Sequence, residues 1–122
     1  MSIKLKYWLT IGLLSFMMTA SAISYLLEYP QMVEAFKHFG YPDYFRVFLG
    51  IAKIIGVVII LIPKSPMILK EWAYAGFAIT LVSAIVSHLS VGDSLDKLIG
   101  PLIALSLLIA ARILLSRLNR SI

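Results

Sequence analysis

Lys53 stands where a lysine is hard to keep. It lies nine residues from Tyr44 and nine from Ile62, inside an otherwise apolar run. At the helical rise that is about 13–14 Å from either end. A lysine near the centre of a bilayer costs about 2.5–3.5 kcal/mol on translocon scales, so it should face a helix bundle or a wet cavity. Arg46, Gly50, Lys53 and Val57 share one helical face, and Gly50 would let a neighbouring helix close in. Two kinds of role suit such an ammonium. One is functional: it binds a polar or anionic headgroup, or relays protons. The other is structural: it forms an ion pair, or is held by hydroxyls and carbonyls. The spacing favours neither.

Glu28 is the acid best placed to pair with it. Glu28 shares a face with Met17, Ser21 and Ser24, near the outer end of the first apolar run. A tucked Glu28 and a snorkelling Lys53 could approach each other. A second stripe runs Glu71, Tyr74, Ala78, Leu81, Ile85, His88, in steps of three and four. Its ends are seventeen residues apart, or roughly 25 Å on a straight helix, so Glu71 and His88 cannot form one compact site. Glu71 at a helix start suits the positive end of the helix dipole. His88, beside Ser87, is of a residue type that titrates near neutral pH, yet it reads more simply as a histidine satisfied inside the bundle.

Lys53, Glu28, Glu71, Trp72, Tyr74 and His88 are thus the candidates for a ligand-binding or structural polar site. No residue can be named catalytic. His38 and His88 are both expected on the outer side with acids nearby, but their spacing matches no metal or haem motif, so no metal site is assigned. There is no Gly-rich phosphate loop, H-E-x-x-H or G-x-S-x-G. Cysteine is absent, which removes disulfides, thiolate metal sites and dithiol redox motifs.

These residues must be positioned by elements that live in lipid. Of 122 residues, 61% are apolar and only 14% charged, against about 25% charged in an ordinary globular domain. The mean hydropathy is +0.95. Four apolar runs, about 7–27, 44–62, 72–91 and 98–116, are each long enough to cross a bilayer. They predict an all-α fold: one transmembrane four-helix bundle over residues 1–122. A short interfacial helix is expected at 33–39, between the first two spans, ended by Gly40 and Pro42. Lys4, Lys6 and Ala20-Ser21-Ala22 also resemble a signal peptide with its cleavage site. The apolar run continues to Leu27, which favours a retained helix. Small residues recur as Ala73, Gly76, Thr80, Ser83 and Ser87, and as Gly12, Ser15, Thr19 and Ala22, as expected for tight helix seams.

Charge sets the expected direction. Four spans place both termini on one side, with Lys4, Lys6, Lys64, Lys70, Arg112, Arg117 and Arg120. The other side holds Lys37, Arg46 and Lys97 among five acids. The excess predicts cytoplasmic termini. The net charge of +5 therefore reads as topology and not as nucleic-acid binding.

Several stretches carry a resemblance: Tyr7-Trp8 with Thr10, Phe39-Gly40-Tyr41-Pro42-Asp43-Tyr44-Phe45, Leu49-Gly50-Ile51-Ala52-Lys53, Glu71-Trp72-Ala73-Tyr74-Ala75-Gly76-Phe77, and Ser87-His88. In this order the chain resembles the DoxX-like family of small four-span membrane proteins, over nearly its whole length. The wider group includes a membrane subunit linked to thiosulfate oxidation and quinone reduction, and others linked to oxidative-stress complexes. The resemblance implies an accessory or anchoring component of a membrane redox system in a bacterial plasma membrane. Its expected partners are the bilayer, a membrane or peripheral redox protein, and further copies of itself. The alternative is an oxidoreductase subunit that holds a quinone or lipid between helices near Lys53. Either way the chain is not expected to be an enzyme on its own. A small-solute transporter is a third reading, weakened by the thin supply of mid-membrane charge and the lack of an inverted repeat.

Overall fold

The computed structural model describes residues 1–27 and 30–120. The elements are α1 (Ile3–Leu26), α2 (Pro30–Phe39), α3 (Asp43–Leu61), α4 (Met67–Ser90) and α5 (Ile99–Arg120), with a 3-10 turn at Leu95–Leu98 leading into α5. There is no strand among the described residues. Four helical segments are long and apolar enough to cross a membrane: Ile3–Leu26, Asp43–Leu61, Met67–Ser90 and Leu95–Arg120. The fold class is the expected all-α four-helix bundle, with the short helix α2 between the first two spans.

α1, α4 and α5 overrun the apolar stretches, and local chemistry explains where α1 and α4 begin. Charges bound a hydrophobic run, but they do not stop a helix. At the N-terminal end Ser2 caps α1, its hydroxyl accepting from Leu5 N–H. α4 begins at Met67, directly after Pro66, and carries Lys70 and Glu71 within it. α2 starts at Pro30, where the missing N–H of a first-turn proline is harmless. It ends at Gly40, whose φ of +84° suits glycine. The Tyr41 N–H then donates back to Phe36 O, closing a Schellman turn. α4 ends the same way: Gly92 has φ +74° and Asp93 N–H donates to His88 O. That second turn folds Asp93 back over the last turn of α4.

Going round the bundle, α1 lies between α3 and α5, and α4 packs against α3 and α5 on the far side. α2 lies on α3 and α1. Successive spans alternate in direction. Thus Tyr7 of α1 meets Tyr74 of α4 at the end bearing the N-terminus, and Arg112 of α5 meets Glu71 there. The opposite end carries α2 and the α4–α5 connection.

The core is apolar and follows helical spacing: Tyr7, Ile11, Leu14 and Met18 from α1, Val57 and Ile60 from α3, Phe77 and Leu81 from α4, and Ala104, Leu108, Ala111 and Leu115 from α5. The outer surface is equally apolar. Phe16, Phe48, Trp72 and Ile79 are all well exposed. In water such a surface would drive aggregation. In a bilayer it meets lipid tails, and the helices satisfy their own backbone groups.

Close packing involves α3 more than the expected stripes. A Cβ on Gly50 would fall 2.8 Å from Leu26 Cγ, and one on Gly56 would fall 2.6 Å from the tip of the Phe77 ring. The small-residue stripe of α4 behaves differently from a closed seam. Gly76 and Ser83 are exposed, and a Cβ on Gly76 would meet nothing within 4 Å. With Phe77 wedged against Gly56, α4 is held off α3, and its small residues leave space.

Candidate functional site

The face predicted from spacing is the face that is buried. Arg46, Gly50, Lys53 and Val57 of α3 all turn into the bundle. Arg46 is 1% exposed. Its guanidinium donates to Asp43 Oδ1 at 3.1 Å and to the Tyr25 carbonyl of α1. This Asp43–Arg46 pair, three residues apart on one helix, was available from spacing. It anchors the start of α3 to the end of α1.

Lys53 is 5% exposed, about two helical turns deeper. Its Nζ donates to Ser21 Oγ at 2.7 Å and lies 4.0 Å from the centroid of the Tyr25 ring. Ser21 is thus the one hydrogen-bond acceptor at this ammonium among the described residues, and the ring supplies a cation–π contact. Glu28, the acid proposed for the pair, lies outside the described residues.

Lys53 sits on the wall of a cavity of about 390 Å³. Met17, Met18, Ser21 and Tyr25 of α1 form one side, and Phe45, Leu49 and Lys53 of α3 the next. Thr80, Leu81, Ser83, Ala84 and Ser87 of α4 face them, with Gly100, Pro101 and Ala104 of α5. Phe36, Phe39 and Tyr41 close the end under α2. The lining is largely apolar and aromatic, with a few polar groups, as in small-molecule sites generally. The aromatic rings touch one another: Tyr25 and Phe36 stand edge to face at 5.1 Å, and Tyr41 lies 5.2 Å from Phe45. Tyr41 and Ser87 share a hydrogen bond of 2.6 Å at that closed end.

Beyond that end, two histidines share one carboxylate. His88 Nδ1 is 2.7 Å from Asp93 Oδ2, and His38 Nε2 is 3.0 Å from Asp93 Oδ1. A carboxylate only accepts, so each imidazole donates through the nitrogen that faces it. These bonds hold the Asp93 carboxyl below its usual range, that from His88 first and that from His38 second. The Schellman turn at Gly92 aims Asp93 at His88, and the Phe39 ring stands edge-on to His88 at 4.9 Å. α2 is thereby clasped to the end of α4. Among the described residues, no group of three or more His, Cys, Asp or Glu side chains is arranged to hold a metal ion.

The remaining candidates fall elsewhere. Glu71 is not a first-turn residue of α4; it pairs with Arg112 of α5, Nε to Oε1 at 2.5 Å, and Arg112 also reaches Ser116. Tyr74 is buried and bonds through its hydroxyl to that of Tyr7 at 3.1 Å. Both belong to the end bearing the N-terminus, away from His88. Trp72 is exposed on the outer surface, where it lines a groove of about 260 Å³ between α3 and α4. Lys53 also lines that groove. The structure thus brings Lys53 and Trp72 to one groove, and distributes Glu71, Tyr74 and His88 over two other clusters. Ser21, Tyr25, Tyr41 and Asp93 complete the sites. They were individually ordinary residues whose partners lie far along the chain.

Comparison with known proteins agrees with the architecture. The family model described as DoxX-like matches residues 9–111. No curated protein and no solved structure matches the chain. The match takes in all of α2, α3 and α4 and most of α1, with the Lys53 cavity and the His38–Asp93–His88 clasp inside it. With four membrane-length apolar helices and a family match over most of its length, this chain is an integral membrane protein and belongs to the DoxX-like family.

Proposed function

We propose that this protein is an accessory component of a membrane redox system, and that it holds a lipophilic ligand with a hydrogen-bond-accepting head between its helices at Lys53. The observation that carries the reading is Lys53 Nζ on the wall of the 390 Å³ cavity, with Ser21 Oγ as its acceptor. An ammonium has three N–H donors. A quinone carbonyl or a lipid headgroup would occupy a second. An apolar residue of similar size could fill the same place without needing a hydrogen-bond partner.

The redox part rests on the resemblance of the chain to the DoxX-like family. With no cysteine in the sequence, any electron carrier is supplied by the ligand or by a partner protein. The chain is then not an enzyme alone. Its setting is a bacterial plasma membrane, with the Lys- and Arg-rich end and both termini facing the cytoplasm. A Ser121→Cys variant is expected to react with a membrane-impermeant thiol reagent only after the cells are opened.

The test is purification in mild detergent, with co-purifying quinones, lipids and proteins identified by mass spectrometry. A quinone or lipid is expected with the wild type and with Lys53→Arg, and to be lost with Lys53→Met. Recovery of a protein partner alone, unchanged in Lys53→Met, would remove Lys53 as a binding residue.

A further inference from the structure

Lys53 borders two spaces, not one. Leu49, Lys53 and Thr80 line both the inner cavity and the outer groove between α3 and α4. The two spaces extend in opposite directions from that junction. The cavity runs from Lys53 toward α2, ending at Tyr41 and Ser87. The groove runs from Lys53 toward Trp72 and Ile59, at the end bearing the N-terminus. Beyond the shared residues its walls are Ala52, Ile55, Gly56, Trp72, Gly76 and Phe77, with Ile59 and Ala73 at its far end, and none of these carries a charge.

We infer that the ligand lies across this junction, with its head in the inner cavity against Lys53 and a single hydrocarbon tail leaving sideways through the α3–α4 groove into the bilayer. This deepens the proposed function and rests on it. Charge and polarity assign the two ends. The ammonium is at the junction, with the Ser21 hydroxyl beside it on the cavity side, so the accepting head belongs there. The groove is apolar and opens on the lipid-facing surface, so it suits a tail that lipid already solvates.

Depth selects the chemistry of the head. Lys53 is ten residues after Asp43 and eight before Leu61, hence about 15 Å and about 12 Å from the two ends of α3. A phosphodiester or carboxylate would have to leave the interface to reach it, against the cost of burying charge in hydrocarbon. An uncharged carbonyl lipid dissolved in the bilayer core meets no such barrier. The occupant is therefore a single-tailed, uncharged carbonyl lipid.

The room for the tail has a specific origin. Phe77 fills the space over Gly56 and props α4 away from α3, while Gly76 beside it is open, with nothing within 4 Å of where its Cβ would stand. A larger residue at 76 would fill the groove without displacing a neighbour. Ala52, exposed on the opposite wall, offers the same test from α3.

The experiment uses the purified full chain in detergent and native mass spectrometry. The probes are a fully methylated benzoquinone, the same head carrying one decyl chain, and oleate. The decyl probe is expected to bind one per chain. Gly76→Leu and Ala52→Leu should each weaken it roughly tenfold or more, a large effect on the affinity scale. They should leave the tail-less probe unchanged, and Lys53→Met should weaken both quinones. If Lys53→Met weakens binding while Gly76→Leu and Ala52→Leu do not, the sideways tail is wrong and the cavity reading stands. Equal weakening of the tail-less probe by the groove variants also overturns the tail path. Tighter binding of oleate than of the decyl probe overturns the uncharged head. Indifference of both quinones to Lys53→Met overturns the proposed function itself.

Discussion

Lys53 of α3 and Ser21 of α1 meet through a 2.7 Å hydrogen bond near the middle of the bundle, beneath the face of Tyr25. The ammonium is buried and the serine half-buried, so neither is generously hydrated. The bond is charge-assisted, and removing Ser21 Oγ leaves the charge, among the described residues, with the Tyr25 ring. Ser21→Ala should lower stability by about 1.5–3 kcal/mol. Lys53→Met removes the charge together with its need for a partner, so the fold should be unchanged or slightly more stable. The double variant should then lose far less than Ser21→Ala alone. Thermal melting of all four proteins in one detergent checks this cycle. Additive losses would mean that the two side chains do not interact. A fold that holds while ligand binding is lost is the signature of a lysine kept for function.

Asp93 joins two helices through two histidines, and its acid titration follows from that. Its ordinary pKa is 3.8, and hydrogen bonds from His88 and then His38 pull it lower. A carboxyl with a depressed folded pKa contributes its stability fully above the unfolded value. The contribution is lost as pH falls through the folded value. The melting temperature of the wild type should therefore exceed that of Asp93→Asn by a steady margin near pH 5, and the margin should shrink toward about pH 3. A margin that grows between pH 5 and about pH 3 would contradict the bonding described for Asp93.

Gly50 and Gly76 should respond oppositely to the same small change. A Cβ on Gly50 would meet Leu26 Cγ at 2.8 Å and the Ala22 carbonyl at 3.3 Å. The leucine can turn away, but the backbone carbonyl is less free to move. Gly50→Ala should therefore destabilise by about 1–3 kcal/mol, through overpacking at the α1–α3 contact. Gly76 has open space, and alanine is the better helix former by about 1 kcal/mol, so Gly76→Ala should stabilise slightly. Unfolding midpoints of the two variants give the comparison. The same sign for both would show that the α3–α4 space is not open at Gly76.

Much of the helix-level structure was legible in the sequence. Arg46, Gly50, Lys53 and Val57 were expected on one face, and all four are buried. Glu71 and His88 were expected at opposite ends of one span, and each has found a partner there. Span edges were less legible. Runs of apolar residues end at charges, whereas α4 continues through Lys70 and Glu71 back to Pro66. Propensity and capping decide where a helix stops; hydropathy only decides how much of it lipid can cover.

The sites were legible in part, and the missing part is non-local. His38 and His88 read as two unrelated histidines. Asp93, 55 residues from the first and five from the second, ties them together. Arg112 and Glu71 are separated by 41 residues. The small stripe Ala73, Gly76, Thr80, Ser83 and Ser87 was expected to close a seam, and instead it lines the groove and the cavity. Nothing in the stripe itself distinguishes these outcomes.

The sequence by itself determined a lipid-dwelling bundle of four spans and one lysine that this setting must shelter. Burial of apolar surface and helical period are local properties of the chain, so composition and spacing carry them. Only the tertiary structure decided what shelters Lys53, where the empty space lies, and which histidine meets which acid. Those depend on the distance between helices. That distance is set by a few bulky contacts, such as Phe77 on Gly56, which pair residues far apart in the sequence.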